Sequence, residues 1–587
     1  MEKQDSTDRL LRWLIMSICV AAIDFGTTYS GYAFSVSHLK TKLADVQILT
    51  NQAWNAGVRE AISLKTPSCL LLTKEKEIVA FGYEAENQYT DLVLDGKEDD
   101  FYYFYRFKMN LHKNRDISLG MILEDIKGNP LPAVEVFSLS IQALQLHMKK
   151  LIEAKNVTLD EQTKWVLTVP AIWSDTAKLF MRKAAEMANI AEDKLTLALE
   201  PEAASIHCQT FPSAGSVDIA NIGAKYIVVD LGGGTVDITV HEKLPDGTLK
   251  ELSKASGNDC GGTSVDRKFI QICNEIFGMD VMNKMERETP EDYLCLIRCF
   301  ENVKRTLLPD KTGYVNVTIP SIVLDKLCKS ELEGRSIKEV LELSPIKDHC
   351  KLYHDKFRLE ACYAKSLFAE TSENITVSIN EVLNKVGYTE IQHILLVGGF
   401  AECKLVQEAV RLAFPDKTVT VPDESGLSVL KGAVLFGYDP YSISSRITRY
   451  TYGVDVVRLF DEINDNVKRR IFVDGKAFCE NVFQPFMKAN TSVRIGTEIK
   501  QTYNTSEEFQ QHHYLPIYYT ELDSVDFIDG GTCSKLGEVE VEIPNPTKHT
   551  RDVNVVFHFG ETELTITAVD QESGKECKTS FGISDFD

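Results

Sequence analysis

Two glycine-rich turns with nearly the same residue pattern constrain the fold of this chain more than any other feature. One is the run 23–28 (IDFGTT) and the other is the run 229–237 (VDLGGGTVD). In each, an apolar run leads into an aspartate, a glycine-rich turn with threonine, and then apolar residues again. This pattern is typical of a β-hairpin whose turn presents backbone N–H groups to an anion. The repetition predicts two similar α/β lobes with a cleft between them.

The two hairpins can hold the phosphates of one nucleotide from opposite sides of that cleft. Glycine lets backbone N–H groups approach a ligand, and threonine adds a hydroxyl donor. Asp24 and Asp230 would then face the accompanying metal ion and hold its water molecules. Aspartate is also common in ordinary turns, so neither residue carries this prediction alone. The predicted phosphate-binding residues are Gly26, Thr27, Thr28, Gly232, Gly233, Gly234 and Thr235.

Length, charge and cysteine usage narrow the class of protein. A chain of 587 residues exceeds what one hydrophobic core supports, so several domains are expected. The net charge of −22 leaves no basic surplus for nucleic acid or anionic lipid, so we predict no nucleic-acid partner. The 14 cysteines form no CxxC pair, and reduced thiols favour a cytoplasmic location. The apolar run 10–22 is too short to span a bilayer, so no membrane insertion is expected.

The order of apolar runs and breakers predicts the domain organisation. Residues 1–440 should form the two lobes, with lobe I over about 20–205 and lobe II over about 220–440. A strand over 165–171 and a helix over 175–191 are expected in lobe I. A strand that ends at Gly398 and Gly399, followed by a helix over 404–414, is expected in lobe II. Residues 441–587 show short alternating strands and predict an all-β sandwich, with 442–449 as the linker.

The motifs resemble, in order, those of the 70-kDa heat-shock protein family. The matching runs are 24–28, 168–171, 199–204, 230–237, 261–262 with Asp266, 301–307, 397–399, 421–424 and 563–570. Phe25 and the run 107–112 are similar to its divergent 12A/12B-type branch. The resemblance implies an actin-like two-lobed ATPase domain followed by a β-sandwich that binds peptides. Because the chain ends directly after this β region, we expect no helical lid.

The resemblance also implies roles in ATP hydrolysis, with ATP or ADP and Mg²⁺ as cofactors. Lys108 would stabilise charge on the γ-phosphate, and Glu200 and Asp237 would orient the attacking water. Thr235 would face the metal and the γ-phosphate. Pro170 and Glu200 would relay the nucleotide state toward the second domain. A solvated lysine at 108 and a carboxylate at a helix start at 200 are the simpler alternatives.

The adenosine end of the implied site departs from the family pattern. The resemblance places Glu301, Lys304 and Arg305 around adenosine, although these residues could equally form a surface salt-bridge face. The family has Ser, Thr and Arg after its third Gly-Gly pair, whereas this chain has Phe400, Ala401 and Glu402. Leu308 replaces a serine, and Phe400 could stack on the base instead of the arginine. The remaining implied cofactor-binding residues are Gly261, Gly262, Gly398, Gly399 and Asp423.

These observations predict an ATP-binding, slowly hydrolysing, chaperone-like protein whose nucleotide state biases the binding of protein or peptide clients. Co-chaperones are the further partners that the resemblance implies. A non-enzymatic scaffold that uses nucleotide as a switch is one alternative, and an actin-superfamily metabolite kinase is another. The β region argues against the kinase, and neither a P-loop nor a GxGxxG motif is present. The linker lacks the family's leucine-rich sequence, which predicts weaker or different coupling between the domains.

Overall fold

The computed structural model describes residues 17–38, 41–51, 54, 63–113, 117–154, 162–212, 217–473, 475–505 and 508–580. The first part of the apolar run, residues 10–16, lies outside these ranges, as do the last seven residues. The second part of that run belongs to the strand that leads into the first glycine turn, and its residues 19–22 are buried. None of the helices in the described ranges has the length and apolar character needed to cross a bilayer. All 14 cysteines lie in the described ranges, and no disulfide joins any of them there.

Lobe I is built from one central sheet with smaller sheets and helices around it. Its strands are β1 (Ser17–Asp24), β2 (Tyr29–His38), β3 (Leu49–Thr50), β4 (Thr66–Pro67), β5 (Cys69–Thr73), β6 (Ile78–Phe81), β7 (Phe101–Tyr105), β8 (Ile122–Glu124), β9 (Pro130–Pro132), β10 (Lys164–Val169) and β11 (Leu195–Leu199). Its helices are α1 (Tyr83–Leu94), α2 (Asn110–Lys113), α3 (Ala133–Glu153), α4 (Asp175–Met187) and α5 (Glu200–Thr210).

Local chemistry explains where two of the predicted lobe I elements end. Strand β10 stops at Val169 because Pro170 cannot donate a ladder hydrogen bond. Helix α4 begins after Ser174, whose hydroxyl accepts a hydrogen bond from the Ala177 N–H at 3.2 Å. The helix ends four residues before the predicted position 191, close to Asn189, which takes a left-handed conformation with φ of 65°.

Lobe II repeats the architecture of lobe I and adds a helical layer. Its strands are β12 (Lys225–Leu231), β13 (Val236–Lys243), β14 (Leu249–Asn258), β15 (Tyr314–Thr318), β16 (Cys350–Tyr353), β17 (Lys356–Glu360), β18 (His393–Val397), β19 (Thr418–Thr420) and β20 (Ile443–Ile447). Its helices are α6 (Gly262–Phe277), α7 (Met279–Glu288), α8 (Pro290–Thr306), α9 (Ser321–Glu331), α10 (Ile337–Leu343), α11 (Ala361–Ser366), α12 (Ala369–Val386), α13 (Lys404–Ala413) and α14 (Ser425–Tyr438).

The central sheets of the two lobes share one strand order. In lobe I the order is β11-β10-β1-β2-β3, and in lobe II the corresponding strands run β19-β18-β12-β13-β14. In both lobes the strand that ends in the glycine turn pairs antiparallel with its hairpin partner and parallel with the strand on its other side. Asp24 and Asp230 therefore occupy equivalent ends of equivalent strands. This is the duplication that the two motifs predict.

After the lobes the chain forms two antiparallel sheets. The strands of this part of the chain are β21 (Thr451–Leu459), β22 (Arg470–Val473), β23 (Lys476–Met487), β24 (Ser492–Arg494), β25 (Thr497–Asn504), β26 (His512–Thr520), β27 (Ser534–Glu542), β28 (Asp552–Phe559), β29 (Thr565–Asp570) and β30 (Glu576–Ser580), and all except β24 belong to these two sheets. One sheet has the order β22-β23-β21-β26-β27, and the other has the order β25-β28-β29-β30. The stacked rings of Phe486 and Phe557, with centroids 3.9 Å apart, join the two sheets.

The segment predicted as a linker is not a free connection. Residues 443–447 form strand β20, which lies parallel to β14 at the edge of the lobe II sheet. Strand β24 then pairs antiparallel with β20, so a segment from the β region completes this sheet. The lobe II sheet therefore extends past the predicted boundary at residue 441. This pairing is made by main-chain hydrogen bonds, which do not depend on side-chain type.

The β region also docks against lobe I. Buried residues of lobe I and of the two antiparallel sheets form one continuous hydrophobic cluster. Around it, Arg182 Nε donates to Glu563 Oε1 at 2.7 Å, and the Tyr452 hydroxyl donates to Asp175 Oδ2 at 2.6 Å. The guanidinium of Arg446, on the linker strand, binds both carboxylate oxygens of Glu202 at 2.8 and 2.7 Å. The two parts of the molecule thus share a core and a buried ion pair.

Candidate active site

A cleft of about 360 Å³ lies between the lobes, where the two glycine turns face each other. This volume is within the range of cavities that bind small molecules and cofactors. The predicted site residues in its lining are Asp24, Gly26, Thr27, Thr28, Lys108, Glu200, Asp230, Gly232, Gly233, Gly234, Thr235, Gly262, Glu301, Lys304, Arg305, Gly398, Gly399, Phe400 and Asp423. The two that lie outside its lining are Asp237 and Gly261.

The two glycine turns approach each other too closely for side chains on the lobe II turn. A Cβ atom on Gly233 would lie 2.2 Å from the Thr28 hydroxyl oxygen. A Cβ atom on Gly234 would lie 2.7 Å from the Thr27 hydroxyl oxygen. Both distances are far below van der Waals contact, so a side chain at either position would displace the facing threonine. The threonines of one lobe therefore fit into the space left by the glycines of the other.

The start of helix α6 fixes the lobe II turn from behind. The N–H groups of Gly261 and Gly262 donate to the carbonyl oxygens of Gly234 and Gly232 at 3.2 and 3.0 Å. The N–H group of Thr263 donates to Gly233 O at 2.8 Å. These helix-start N–H groups are consequently bound to the turn. Gly261 supports the turn from outside the cleft lining, while Gly262 reaches the lining as well.

The two equivalent aspartates differ in their surroundings. Asp24 accepts a hydrogen bond from the Thr168 hydroxyl at 2.8 Å and from Lys65 Nζ at 2.6 Å. Burial raises the pKa of Asp24, but the Lys65 ammonium outweighs burial and the pKa is below its usual value. Burial, reinforced by the nearby carboxylate of Glu200, raises the pKa of Asp230 well above its usual value. Within the described residues, Asp230 forms no ion pair.

Lys108 and Glu200 form a buried ion pair at the centre of the cleft. Lys108 Nζ donates to Glu200 Oε1 at 2.9 Å, and the same ammonium lies 5.0 Å from the centre of the Trp173 ring. Burial raises the pKa of Glu200 to about 7, although Lys108 opposes the shift. A carboxyl group with this pKa changes its protonation state near neutral pH. Lys108 is thus a buried, paired lysine rather than a solvated one.

Asp237 lies one layer below the cleft. Its Oδ1 accepts a hydrogen bond from the Ile172 N–H at 2.9 Å, and its pKa is raised by burial although hydrogen bonds to Ile172 and Thr235 oppose the shift. Only 1% of this residue is exposed. Asp237 is hydrogen-bonded to Thr235, which lines the cleft. Asp237 lies outside the cleft lining, and its role in orienting an attacking water stays a prediction.

The helix face of Glu301, Lys304 and Arg305 faces the opposite end of the cleft. Lys304 Nζ binds Asp266 Oδ1 at 2.6 Å and the Gly262 carbonyl at 3.0 Å. The Arg305 guanidinium lies 4.6 Å from the centre of the Tyr29 ring, and the Tyr29 hydroxyl donates to Glu301 Oε2 at 3.2 Å. This face is therefore a partly buried network rather than a solvated salt-bridge surface.

The residues at this end that depart from the family pattern differ in whether they line the cleft. Phe400 and Glu402 line the cleft, and the Phe400 ring packs so close to Gly262 that a Cβ there would lie 3.3 Å from it. Phe400 is also a member of the lobe II core. Leu308 is 50% exposed and lies outside the cleft lining. Leu308 therefore forms no part of the cleft lining, whereas Phe400 does.

Three residues that were not predicted from the sequence contact predicted residues of the site. Lys65 contacts Asp24 across 41 positions of the chain, and Tyr29 contacts Glu301 across 272 positions. Arg106 bridges the lobes by binding Glu301 and, at 3.4 Å, Asp266. The only local signal is at Tyr29, which follows the first turn directly. Lysine and arginine carry no positional signal of their own, so such contacts emerge only when the lobes are assembled.

Comparison with known proteins settles the family. Residues 105–439 match the family model described as Hsp70 protein. This chain belongs to the Hsp70 family. It is 32% identical to heat shock 70 kDa protein 12A of Mus musculus, over 97% of this chain and 92% of the relative. It is equally identical to heat shock 70 kDa protein 12B of Homo sapiens, over 96% and 90%.

More distant Hsp70 relatives match a shorter part of the chain. The chaperone protein DnaK of Thermotoga neapolitana is 24% identical over 71% of this chain and 61% of the relative. The predicted resemblance to the 12A/12B-type branch is therefore confirmed. Hsp70 membership implies an actin-like ATPase fold for the two lobes, and it supports nucleotide binding. Members of the Hsp70 family generally bind ATP or ADP together with Mg²⁺.

Proposed function

We propose that this protein binds ATP and ADP in the interlobe cleft, hydrolyses ATP slowly, and uses its nucleotide state to bias client binding by the C-terminal β sheets. The observation that carries the proposal is the meeting of the two aspartate–glycine hairpins around one cavity beside Lys108 and Glu200. The glycine turns would cradle the phosphates, and Phe400 with the α8 face would contact the adenosine.

The residues present fit a magnesium ion held through water. Asp24 and Asp230 are buried at equivalent strand ends, and no group of three His, Cys, Asp or Glu side chains converges anywhere in the described ranges. Water-mediated binding by two carboxylates, with phosphate oxygens completing the shell, is a common arrangement for Mg²⁺. When bound, the ion would neutralise charge on the phosphates. The Gly398 backbone lies against Asp230, since a Cβ there would be 2.3 Å from Asp230 Oδ1.

In the proposed reaction, Lys108 would act on the γ-phosphate and Glu200 would act on the attacking water. The Lys108 ammonium has N–H groups beyond the one bound to Glu200, and these would stabilise negative charge on the γ-phosphate. The ionised Glu200 carboxylate would accept a hydrogen bond from the attacking water and orient it. Thr235 would bind the transferred phosphoryl group, held in place by Asp237 beneath it. Because the pKa of Glu200 is raised to about 7, this carboxyl group is ionised only in part at neutral pH.

A non-enzymatic scaffold that uses nucleotide as a structural ligand is the second candidate. It is favoured by the altered adenosine end, where Phe400 and Glu402 line the cleft. A metabolite kinase is less consistent with the two appended antiparallel sheets. The deciding experiment is calorimetry of the full chain with ATP, ADP and GTP, with and without Mg²⁺, followed by phosphate release on the same sample.

The outcomes separate these candidates. Binding of ATP and ADP with measurable phosphate release supports the chaperone-like ATPase. Binding with release no faster than the buffer background supports the scaffold. The absence of binding at millimolar nucleotide contradicts both.

Client binding is proposed for the region after residue 450. Its antiparallel strands can accept an extended apolar peptide through main-chain hydrogen bonds, with pockets for alternate side chains. We expect weak binding and fast release, and a cytoplasmic location in which protein clients and co-chaperones are the partners. Fluorescence anisotropy with an apolar peptide, with and without ATP, tests this. Failure to bind any unfolded client would show that the β region serves another partner.

A further inference from the structure

The cleft contains a lysine whose place in the reaction is not explained by the proposed function. Lys65 lines the cavity and donates to Asp24 Oδ2 at 2.6 Å, with 18% of its side chain exposed. Asp24 is one of the two carboxylates that would hold the water molecules of a magnesium ion. A fixed positive charge is therefore bound directly to one half of the proposed metal site.

Two backbone contacts fix the position of Lys65. The following residues, Thr66 and Pro67, pair antiparallel with Tyr29 and Ser30 directly after the first glycine turn. The methylene stem of Lys65 crosses Gly31, where an added Cβ would lie 3.2 Å from the lysine Cγ. Gly31 thus leaves room for the stem. The ammonium is held in register with the turn that faces the phosphates.

The charges around the two aspartates are asymmetric. Asp24 has an ion-pair partner, whereas Asp230 has none among the residues that the structure describes. Both oxygens of Asp24 are engaged, one by Lys65 and the other by Thr168. A lysine ammonium has three N–H donors, so two remain after the bond to Asp24. These can reach a ligand oxygen in the cavity that Lys65 lines.

We infer that Lys65 is a built-in cation of the phosphate site, which binds a diphosphate oxygen and lessens the dependence of nucleotide binding on magnesium. This inference rests on the proposed function. The positive ammonium attracts the negative phosphate oxygens, and unlike a magnesium ion it does not have to be taken up from solution. The same ammonium competes with the metal for Asp24, so removing it should strengthen the magnesium requirement.

The test measures the dissociation constant of ADP by calorimetry, at saturating Mg²⁺ and in excess EDTA. ADP is used because it does not turn over. For the unaltered protein, removal of Mg²⁺ should weaken ADP binding by about tenfold or less. The ratio to compare is the dissociation constant of ADP in EDTA divided by that in Mg²⁺. For Lys65→Met, which keeps the stem but removes the charge, this ratio should grow by at least about tenfold. Lys65→Arg should behave like the unaltered protein.

Lys76→Met is the matched control, because Lys76 forms an ion pair with Glu135 on lobe I at 2.7 Å, outside the cleft lining. It should leave the ratio unchanged. Equal ratios for the unaltered protein and Lys65→Met overturn the inference. If Lys65→Met does not fold, the unaltered protein alone is the test. A loss of its ADP affinity of more than about a hundredfold in EDTA overturns the inference. ADP binding with a steep magnesium requirement contradicts only this inference, whereas no ADP binding in either condition contradicts the proposed function too.

Discussion

At the scale of single residues, the chemistry of the cleft depends on how burial changes its carboxylates. Glu200 is paired with Lys108 and its pKa is raised to about 7, while the Lys65 ammonium keeps Asp24 ionised. A buried carboxylate with a shifted pKa, placed in a cleft, is typical of a functional site. The protonation of Glu200 is therefore the first property to test.

Phosphate release should increase as the pH rises through about 7, because Glu200 must lose its proton to orient water. Glu200→Gln should abolish most of the release and remove this pH dependence, with ADP affinity retained. Steady-state phosphate release between pH 6 and pH 8.5 measures it. Since folding raises the pKa of Glu200 above its usual 4.5, the unfolding free energy should decrease between about pH 4.5 and pH 7. A pH-independent release rate would contradict the assigned role.

Phe400 should contribute to base binding through its ring. Phe400→Leu keeps an apolar side chain in the lobe II core but removes the aromatic face. We expect ADP binding to weaken by about 1 kcal/mol, the scale of aromatic stacking beyond burial. Phe414→Leu is the control, since Phe414 is buried in the same core outside the cleft lining. If both variants bind ADP equally, the Phe400 ring does not contact the base.

At the scale of elements, the fit between the two hairpin turns determines whether the cleft can close. Helix α6 holds the lobe II turn through three backbone hydrogen bonds, and the threonines of lobe I fill the space beside Gly233 and Gly234. The hairpins are thus both the phosphate cradle and part of the contact between the lobes. Any side chain added on the lobe II turn should separate them.

Gly234→Ala should open this contact. The added Cβ would lie 2.3 Å from the Met109 sulfur and 2.7 Å from the Thr27 hydroxyl oxygen. We expect ADP affinity to fall by at least about tenfold, because the two turns could no longer hold one diphosphate together. Gly120→Ala is the matched control, since the nearest atom to its Cβ is the Ser118 hydroxyl at 3.8 Å. Unchanged ADP binding by Gly234→Ala would show that the turns act independently.

At the scale of the whole molecule, the β region is joined to the lobes by a strand rather than by a loose linker. Strand β20 extends the lobe II sheet, and its Arg446 binds Glu202 at the start of α5, the helix that also carries Glu200. A single short helix thus connects the cleft and the linker strand. Movement of α5 in response to nucleotide would therefore alter both the cleft and the contact with the linker strand.

Arg446→Met should destabilise the docked arrangement, because it leaves the Glu202 carboxylate, 1% exposed, without its partner. Breaking a buried ion pair in this way typically lowers the free energy of unfolding by about 3 kcal/mol or more. The double variant Arg446→Met with Glu202→Gln should recover part of the loss. Arg494→Met is the control, because Arg494 is exposed on the neighbouring strand β24. With Glu202→Gln alone completing the cycle, denaturant unfolding measures the unaltered protein and the four variants, and additive losses would contradict the coupling.

The sequence by itself determined the repeated hairpins and therefore the duplicated lobes. An apolar run, an aspartate and a glycine turn act through neighbouring residues, so both hairpins and the helix that starts after Ser174 were predictable. The ordered motifs also identified the Hsp70 family, which the comparisons confirm. The roles of individual site residues stay predictions, because no local pattern shows which charges will pair.

Only the tertiary structure decided the contacts that depend on distant parts of the chain. The pairing of Lys65 with Asp24, the removal of Asp237 from the cavity wall and the bridge from Arg106 to Glu301 all depend on how the lobes assemble. The linker sequence predicted weaker or different coupling between the domains, and it did not show that the linker backbone completes a sheet edge or that its arginine is buried. Side-chain patterns predict local structure well, but an open sheet edge recruits a strand through its main chain, whatever the side chains are.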